Sequence, residues 1–216
     1  SGVVYTGTLS GEVMARQLPG GELIWKINIG APVHHSPAIA DGKLIFGSAD
    51  GYLTAVNAAD GEYLWSIGTG NNINVSPIVA GDKVIAANNA GQIFAVELAN
   101  GDLIWRKDIP YNKEAYTALS PASDGVRIYG AAGTTMFALD LVTGNLVWKA
   151  DTYGFYNART APMLSDGKVF FGTEYYVQAL RADTGDSLWR SNVSGGVQLN
   201  GSLAAADGRV YFGSND

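Results

Sequence analysis

Between residues 36 and 70 the chain alternates short apolar runs with glycine-bearing turns. Strand-like runs at 37–40, 43–47, 52–56 and 63–67 are separated by Asp41-Gly42, Ala49-Asp50-Gly51 and Asp60-Gly61. Apolar and polar positions in these runs do not follow a 3.6-residue period over ten or more residues, so helices are not expected. Turn dipeptides with glycine supply the positive φ that tight hairpins need. The pattern predicts a four-stranded antiparallel meander.

The same unit recurs along the chain. Tryptophans stand at Trp25, Trp65, Trp105, Trp148 and Trp189, at intervals of 40, 40, 43 and 41 residues. Four residues before each lies a glycine (Gly21, Gly61, Gly101, Gly144, Gly185), and six residues before each glycine an alanine (Ala15, Ala55, Ala95, Ala138, Ala179). A four-strand repeat of about 40 residues is the signature of a β-propeller blade. Fold class is therefore all-β, with blades expected at 1–30, 31–70, 71–110, 111–155 and 156–195, a partial blade at 196–216, and a single domain over 1–216. Residues 2–25 align with 42–65, and 208–214 with 42–48. The tally is three strands, four full blades and two strands. One strand is then surplus to a ring closed by strand exchange. The preferred reading is a segment of a seven- or eight-bladed ring, and the alternative is a closed five-bladed ring.

Composition narrows the function classes. Hydrophobic residues make up 47% of the 216, with 28 glycines, enough for a sizeable core and against disorder. No apolar run approaches the roughly 18 residues of a membrane span. A net charge of −6, from 14 basic and 20 acidic side chains, offers no basic stripe for nucleic acid. The chain has no cysteine, which removes thiolate chemistry and cysteine-ligated metals. Residues 1–5 lack the features of a signal peptide, so any export signal is expected to have been removed or to lie outside this sequence.

Residues 138–148, Ala-Leu-Asp-Leu-Val-Thr-Gly-Asn-Leu-Val-Trp, match the eleven-residue tryptophan-docking motif of the pyrroloquinoline-quinone-type propeller repeats. Weaker copies run over 15–25, 55–65, 95–105 and 179–189. Ser36-Pro37, Ser76-Pro77 and Ser120-Pro121 open the inner strands, with Ala161-Pro162 and Ser202-Leu203 as departures. The chain thus resembles this family over essentially its whole length. WD40 repeats have a similar period, but their Gly-His and Trp-Asp signatures are missing. The resemblance implies a docking role for Trp25, Trp65, Trp105, Trp148 and Trp189 on outer strands, where each indole can bury about 150–250 Å².

It also implies a bacterial cell-envelope setting, periplasmic or extracellular. Two kinds of relative are relevant: non-catalytic scaffolds of the outer-membrane assembly machinery, and quinoprotein dehydrogenases. The dehydrogenases hold their quinone under a ring of adjacent cysteines and use a catalytic Asp beside calcium or a lanthanide. This chain has no such cysteines, and its recurring aspartates Asp50, Asp60, Asp140 and Asp183 sit in turn or docking positions. The reading leans away from catalysis, with no catalytic residue, no metal site and no cofactor expected. Pyrroloquinoline quinone with calcium belongs only to the alternative, that these blades are part of a dehydrogenase. A sensor or sugar-binding ectodomain is the second alternative.

Candidate partner-facing positions precede the inner strands. Three residues before the proline equivalent stand His34, Asn74, Ala118, Arg159 and Asn200, and five before stand Pro32, Asn72, Tyr116, Asn157 and Gln198. Period-2 alternation points both series the same way. The turns at Ala49-Asp50, Asn88-Asn89, Ala131-Ala132 and Glu174-Tyr175 are expected to frame the same face. The candidates are His34, Asn74, Tyr116, Asn157, Arg159, Glu174, Gln198 and Asn200, with Arg159 the lone cation able to grip a carboxylate or quinone oxygen. A hydrated channel mouth accounts for the same polar residues. His34 and His35, as neighbours on an extended chain, are expected to point apart and not to share a metal. Aromatic-rich loops at 107–120 and 148–162, with Tyr111, Tyr153, Phe155 and Tyr156, suit a protein partner or a sugar. Free blade edges add the expectation of association through them.

Overall fold

The computed structural model describes residues 2–109, 120–151, 160–173, 175–192, 199 and 202–213. Every regular element among them is a β-strand. Residues 1–107 form one compact unit and residues 108–216 a second.

The first unit holds three sheets. β1 (Val3–Gly7), β2 (Glu12–Gln17) and β3 (Leu23–Asn28) form a three-stranded sheet. β4 (Ala38–Ala40), β5 (Lys43–Gly47), β6 (Tyr52–Asn57) and β7 (Tyr63–Gly68) form the first full blade. β8 (Ile78–Ala80), β9 (Lys83–Asn88), β10 (Gln92–Glu97) and β11 (Leu103–Asp108) form the next. In the second unit, β12 (Ala122–Ser123), β13 (Arg127–Ala132), β14 (Thr135–Asp140) and β15 (Leu146–Asp151) make one blade. β16 (Met163–Ser165), β17 (Lys168–Gly172), β18 (Tyr176–Arg181) and β19 (Ser187–Asn192) make another, and β20 (Ala204–Ala206) pairs with β21 (Arg209–Tyr211). Strands follow in sequence order within every sheet, and every pairing with a resolved register is antiparallel. The all-β, four-stranded blade expected from the turn spacing is the fold observed.

Strand limits follow from side-chain chemistry. Pro37, read from sequence as the start of an inner strand, lies outside β4 (Ala38–Ala40); a residue without an N–H has nothing to donate to a ladder. The Asp-Gly hairpins at 41–42, 166–167 and 207–208 have positive φ at both residues, 46° and 70°, 50° and 68°, 52° and 71°. That geometry matches the right-handed twist of two-residue hairpins.

The two middle strands of each full blade are buried on both faces; β5, β9 and β13 each show only their leading Lys or Arg partly to solvent. Packing runs from one sheet to the next within a unit. Val13, Ala15 and Trp25 pack with Leu44, Phe46, Val56 and Ala58 in the first unit. Tyr129, Met136 and Trp148 pack with Val169, Phe171 and Leu180 in the second. Outer strands bury little except the indole. Trp25, Trp65, Trp105 and Trp148 are each 8% exposed or less, whereas Trp189 is 41% exposed.

The motif has a shared geometry. Each alanine faces its own tryptophan across the third and fourth strands: Ala15 with Trp25, Ala55 with Trp65, Ala138 with Trp148, Ala179 with Trp189. Directly after each of these alanines the register shifts by a bulge.

Candidate functional site

The loop leading into β4 is fastened on both sides by main-chain hydrogen bonds. Val33 donates to the Thr8 carbonyl at 3.0 Å, and Ala49 donates to the Pro32 carbonyl at 2.9 Å. The loop into β8 repeats this: Ile73 donates to Ser48 at 3.1 Å, and Asn89 to Asn72 at 2.9 Å. Residues 32–33 and 72–73 therefore tie the second-to-third-strand turn of one sheet to that of the next. Since peptide groups carry the ties, the loops are held by main-chain bonds that do not depend on the exposed side chains beside them.

Alternation then sets which side chains face out. Val33, Ile73 and Val75 are buried, while His34 is exposed and Asn74 half-buried between them. Gly7 and Gly47 make the inward positions possible. A Cβ on Gly7 would stand 2.3 Å from Val33 Cγ1, and one on Gly47 would stand 2.2 Å from Ile73 Cγ2.

Two of the sequence candidates, His34 and Asn74, come to this face by equivalent routes. Both precede the strand in a loop and do not lie within it. His35 is exposed as well, so the adjacent imidazoles share access to solvent. Burial lowers the pKa of His35, and the nearby His34 adds to the effect, so its ring favours the neutral form. Asn74 Oδ1 is buried with no hydrogen-bond partner among the described residues. Tyr116, Asn157, Arg159, Glu174, Gln198 and Asn200 lie outside the described residues, as do Tyr111, Tyr153, Phe155 and Tyr156.

Some expected frame residues turn out to be structural locks. Asn88 is 2% exposed; its amide donates to Thr69 O at 3.1 Å, and its Oδ1 accepts the N–H groups of Ala90 and Gln92, each at 3.1 Å. Ala131 and Ala132 are buried at the end of β13, and the turn there is formed by Gly133 and Thr134. In the second unit Thr160 Oγ1 accepts the Gly172 N–H at 2.8 Å. These polar groups are consumed in holding the turns.

One polar pair was not singled out from sequence. Tyr129 on β13 places its hydroxyl 2.8 Å from Asp124 Oδ2 and 3.1 Å from the Ala182 carbonyl. Burial, reinforced by the Asp124 carboxylate, pushes the phenol up to about 12. Burial pushes Asp124 upward too, but the N–H groups of Arg127 and Val126 and the Tyr129 hydroxyl leave it below its ordinary range. A signal existed: Tyr5 and Tyr129 stand where the second strands of other blades carry Ile45 and Ile85, and a buried phenol implies an acceptor. Tyr5 finds one in the Ala58 carbonyl, at 3.1 Å.

The face can hydrogen-bond through amide and imidazole groups. Among the described residues no three His, Asp or Glu side chains come together as a metal site. None of the described elements is a helix long and apolar enough to cross a membrane.

A family model described as outer membrane protein assembly factor BamB matches residues 1–173 and 112–216. No curated protein matches the chain. Among solved structures, BamB from Moraxella catarrhalis superposes with a TM-score of 0.77 at 21% identity, over 90% of this chain and 63% of that one. The computationally designed Ika8 protein gives 0.84 at 16% identity, over 99% and 65%. The quinohemoprotein alcohol dehydrogenase ADHIIG from Pseudomonas putida HK5 gives 0.75 at 19% identity, over 89% and 40%. The chain spans less than two thirds of each of these structures, and at such identities the likeness is one of fold.

Proposed function

The chain belongs to the family of the outer membrane protein assembly factor BamB, a family of pyrroloquinoline-quinone-like propeller repeats, and from that premise we propose that it is a non-catalytic repeat propeller. On this reading residues 1–216 are consecutive blades of one domain that serves as a protein-interaction scaffold in the bacterial cell envelope, periplasmic or extracellular. The observation that carries the reading is the construction of the face around His34 and Asn74. Main-chain bonds fix its loops, and the side chains carried between them, exposed His34 and half-buried Asn74, are hydrogen-bonding groups. Such a fixed frame presenting hydrogen-bonding side chains suits recognition of a protein surface.

The dehydrogenase likeness supports a second reading, that these blades belong to a quinoprotein. The described residues do not fit pyrroloquinoline quinone with calcium: the chain has no cysteine, and no carboxylate cluster stands among the described residues. No chemical step is therefore assigned.

The test places a photo-cross-linking residue at His34 and, as a control, at the exposed outer-turn position Glu62, in an envelope extract. The scaffold reading expects a reproducible envelope protein joined at 34 and absent at 62. No product at 34, together with tight quinone binding and a change in quinone absorbance, would instead favour the dehydrogenase reading.

A further inference from the structure

The turn that seats one of the buried indoles carries a reactive pair of residues. Trp65 lies against Gly101, where an added Cβ would be 2.6 Å from the indole, and donates its Nε1–H to Leu98 O at 3.1 Å. Trp25 is seated in the same way on Gly61, with Ala58 O as acceptor, and Trp148 on Gly185, with Ala182 O. The residue before the glycine differs between these seats: Asn100 for Trp65, Asp60 for Trp25 and Thr184 for Trp148. Each accepts the N–H two residues on, from Asp102 at 3.0 Å, Glu62 at 2.9 Å and Asp186 at 3.3 Å. A carboxylate or a hydroxyl fills this role, so the turn does not require an amide.

An asparagine followed by glycine can react with its own main chain. The Gly101 nitrogen attacks Asn100 Cγ, the Cγ–Nδ2 bond breaks, and ammonia leaves with the Gly101 proton, closing a cyclic imide. Water then opens the ring. Addition at Cγ returns an ordinary aspartate, whereas addition at the main-chain carbonyl leaves the peptide running through the side chain as isoaspartate. A following glycine, lacking Cβ, hinders ring closure least. Asn-Gly stands at 100–101 and at 200–201, the second outside the described residues. The exposed Asn71, Asn72 and Asn89 precede Asn72, Ile73 and Ala90 instead.

Asn100 is exposed, so water reaches it. Three hydrogen bonds hold the pair short of reaction: Gly101 N–H to Glu97 O at 2.9 Å, Asp102 N–H to Asn100 Oδ1, and Asn100 Nδ2–H to Asp102 Oδ2 at 2.8 Å. Reaction therefore draws on brief openings of this surface turn.

We propose that Asn100 is a self-modification site, where deamidation to isoaspartate releases the Trp65 seat and loosens the packing between the sheet of β7 and that of β11. The two products differ in what they do to the seat. Aspartate at position 100 reproduces the Asp60-Gly61 turn that already seats Trp25. Isoaspartate inserts a methylene into the main chain, about 1.5 Å of added length, and displaces the acceptor of the Asp102 N–H. Gly101 has no slack to absorb that length, because it is already packed against the indole. Loss of ammonia makes the step one-way.

The test incubates the purified chain at mildly alkaline pH and follows each asparagine by peptide mass spectrometry, with electron-based fragmentation to tell isoaspartate from aspartate. Asn100 should lose its amide several-fold faster than Asn71, Asn72 or Asn89, with isoaspartate among the products. Chromatographic fractions carrying isoaspartate at position 100 should unfold at lower denaturant than the unreacted chain and open an additional indole to acrylamide quenching. Asn100→Asp, which has the product's charge on an unaltered main chain, should match the unreacted chain in both. Asn100→Ser, incubated alongside, should keep its unfolding midpoint while that of the wild type drifts down. An Asn100 amide lost no faster than those of the other three, an isoaspartate form as stable as Asn100→Asp, or equal drift in Asn100→Ser and the wild type overturns the proposal.

Discussion

The indole N–H of Trp25 is bonded to the carbonyl of Ala58, 33 residues later and in the next sheet, across 2.9 Å in a buried setting. The same oxygen accepts the Tyr5 hydroxyl at 3.1 Å. A carbonyl has two lone pairs, so both bonds are satisfied at once. Tyr5→Phe should cost about 0.5–1.5 kcal/mol in denaturant unfolding, because the indole still bonds the oxygen, and Trp25→Phe should cost more, because the smaller ring also leaves part of the indole's packed space empty. The double variant leaves the oxygen buried and unpaired, and its cost should exceed the sum of the two. Strict additivity would show that the two bonds act independently.

Gly21 and Gly61 separate backbone strain from crowding. Both have φ near 80°, but only Gly61 faces an indole. Gly21→Ala should cost about 1–2 kcal/mol for the left-handed backbone alone. Gly61→Ala should add roughly 1–3 kcal/mol of overpacking against Trp25. Thermal unfolding of the two variants side by side measures the difference, and equal losses would remove the role assigned to close indole contact.

Alkaline stability reports on Tyr129. Its phenol is pushed up to about 12 in the folded chain, first by burial and then by the Asp124 carboxylate. An unfolded tyrosine loses its proton near pH ~10. Below that pH both states hold the proton and the contribution is intact. Between about 10 and 12 the unfolded state releases its proton and the folded state does not, so stability falls as pH rises. Tyr129→Phe should flatten that part of the pH–stability curve relative to wild type.

His35 gives a test at the face itself. Burial and then His34 lower its pKa, so a proton NMR titration should place its midpoint below the ordinary histidine value of about 6.5. The neutral form is favoured on folding, so this contribution is present above that value and lost as pH falls through the depressed midpoint. His34→Gln should raise the midpoint only part of the way, because burial remains. A full return would show that charge alone was responsible.

Asn88→Ala should destabilise by about 1–3 kcal/mol by stripping an acceptor from two turn N–H groups. Asn89→Ala, whose main-chain N–H makes the tie to Asn72, should stay within about 0.5 kcal/mol.

Much of the fold was legible because its determinants are local. The glycine four residues before each tryptophan, the alanine opposite it and the Asp-Gly hairpins declare strands and turns through sequence spacing alone. Trp189 shows where that ends. Its motif is nearly the same as that of Trp65, and its exposure depends on whether another sheet supplies a glycine turn, which no local pattern encodes. Asn88 fails for a related reason: an asparagine in a polar turn reads as surface, and only the Thr69 carbonyl and two neighbouring N–H groups make it a buried lock. At the face, the spacing before Pro37 and Pro77 reads His34 and Asn74 into the loops before the inner strands, and there the chain carries them. The chemistry of Tyr129 was hidden because its acceptors, Asp124 and the distant Ala182 carbonyl, meet it only in three dimensions.

The bulge after Ala15, Ala55, Ala138 and Ala179 also bears on how these blades behave at high concentration. It resets the alternation of the outer strand, so that two apolar residues in a row face solvent: Leu23 and Ile24, Tyr63 and Leu64, Leu146 and Val147. Sticky side chains on a free strand would ordinarily invite sheet-to-sheet templating into fibres. The bulge counters this, since a strand with one residue too many is bent and cannot offer an evenly spaced row of peptide groups to an incoming chain. The irregularity that lets each indole settle opposite its alanine therefore also acts as a safeguard of colloidal solubility.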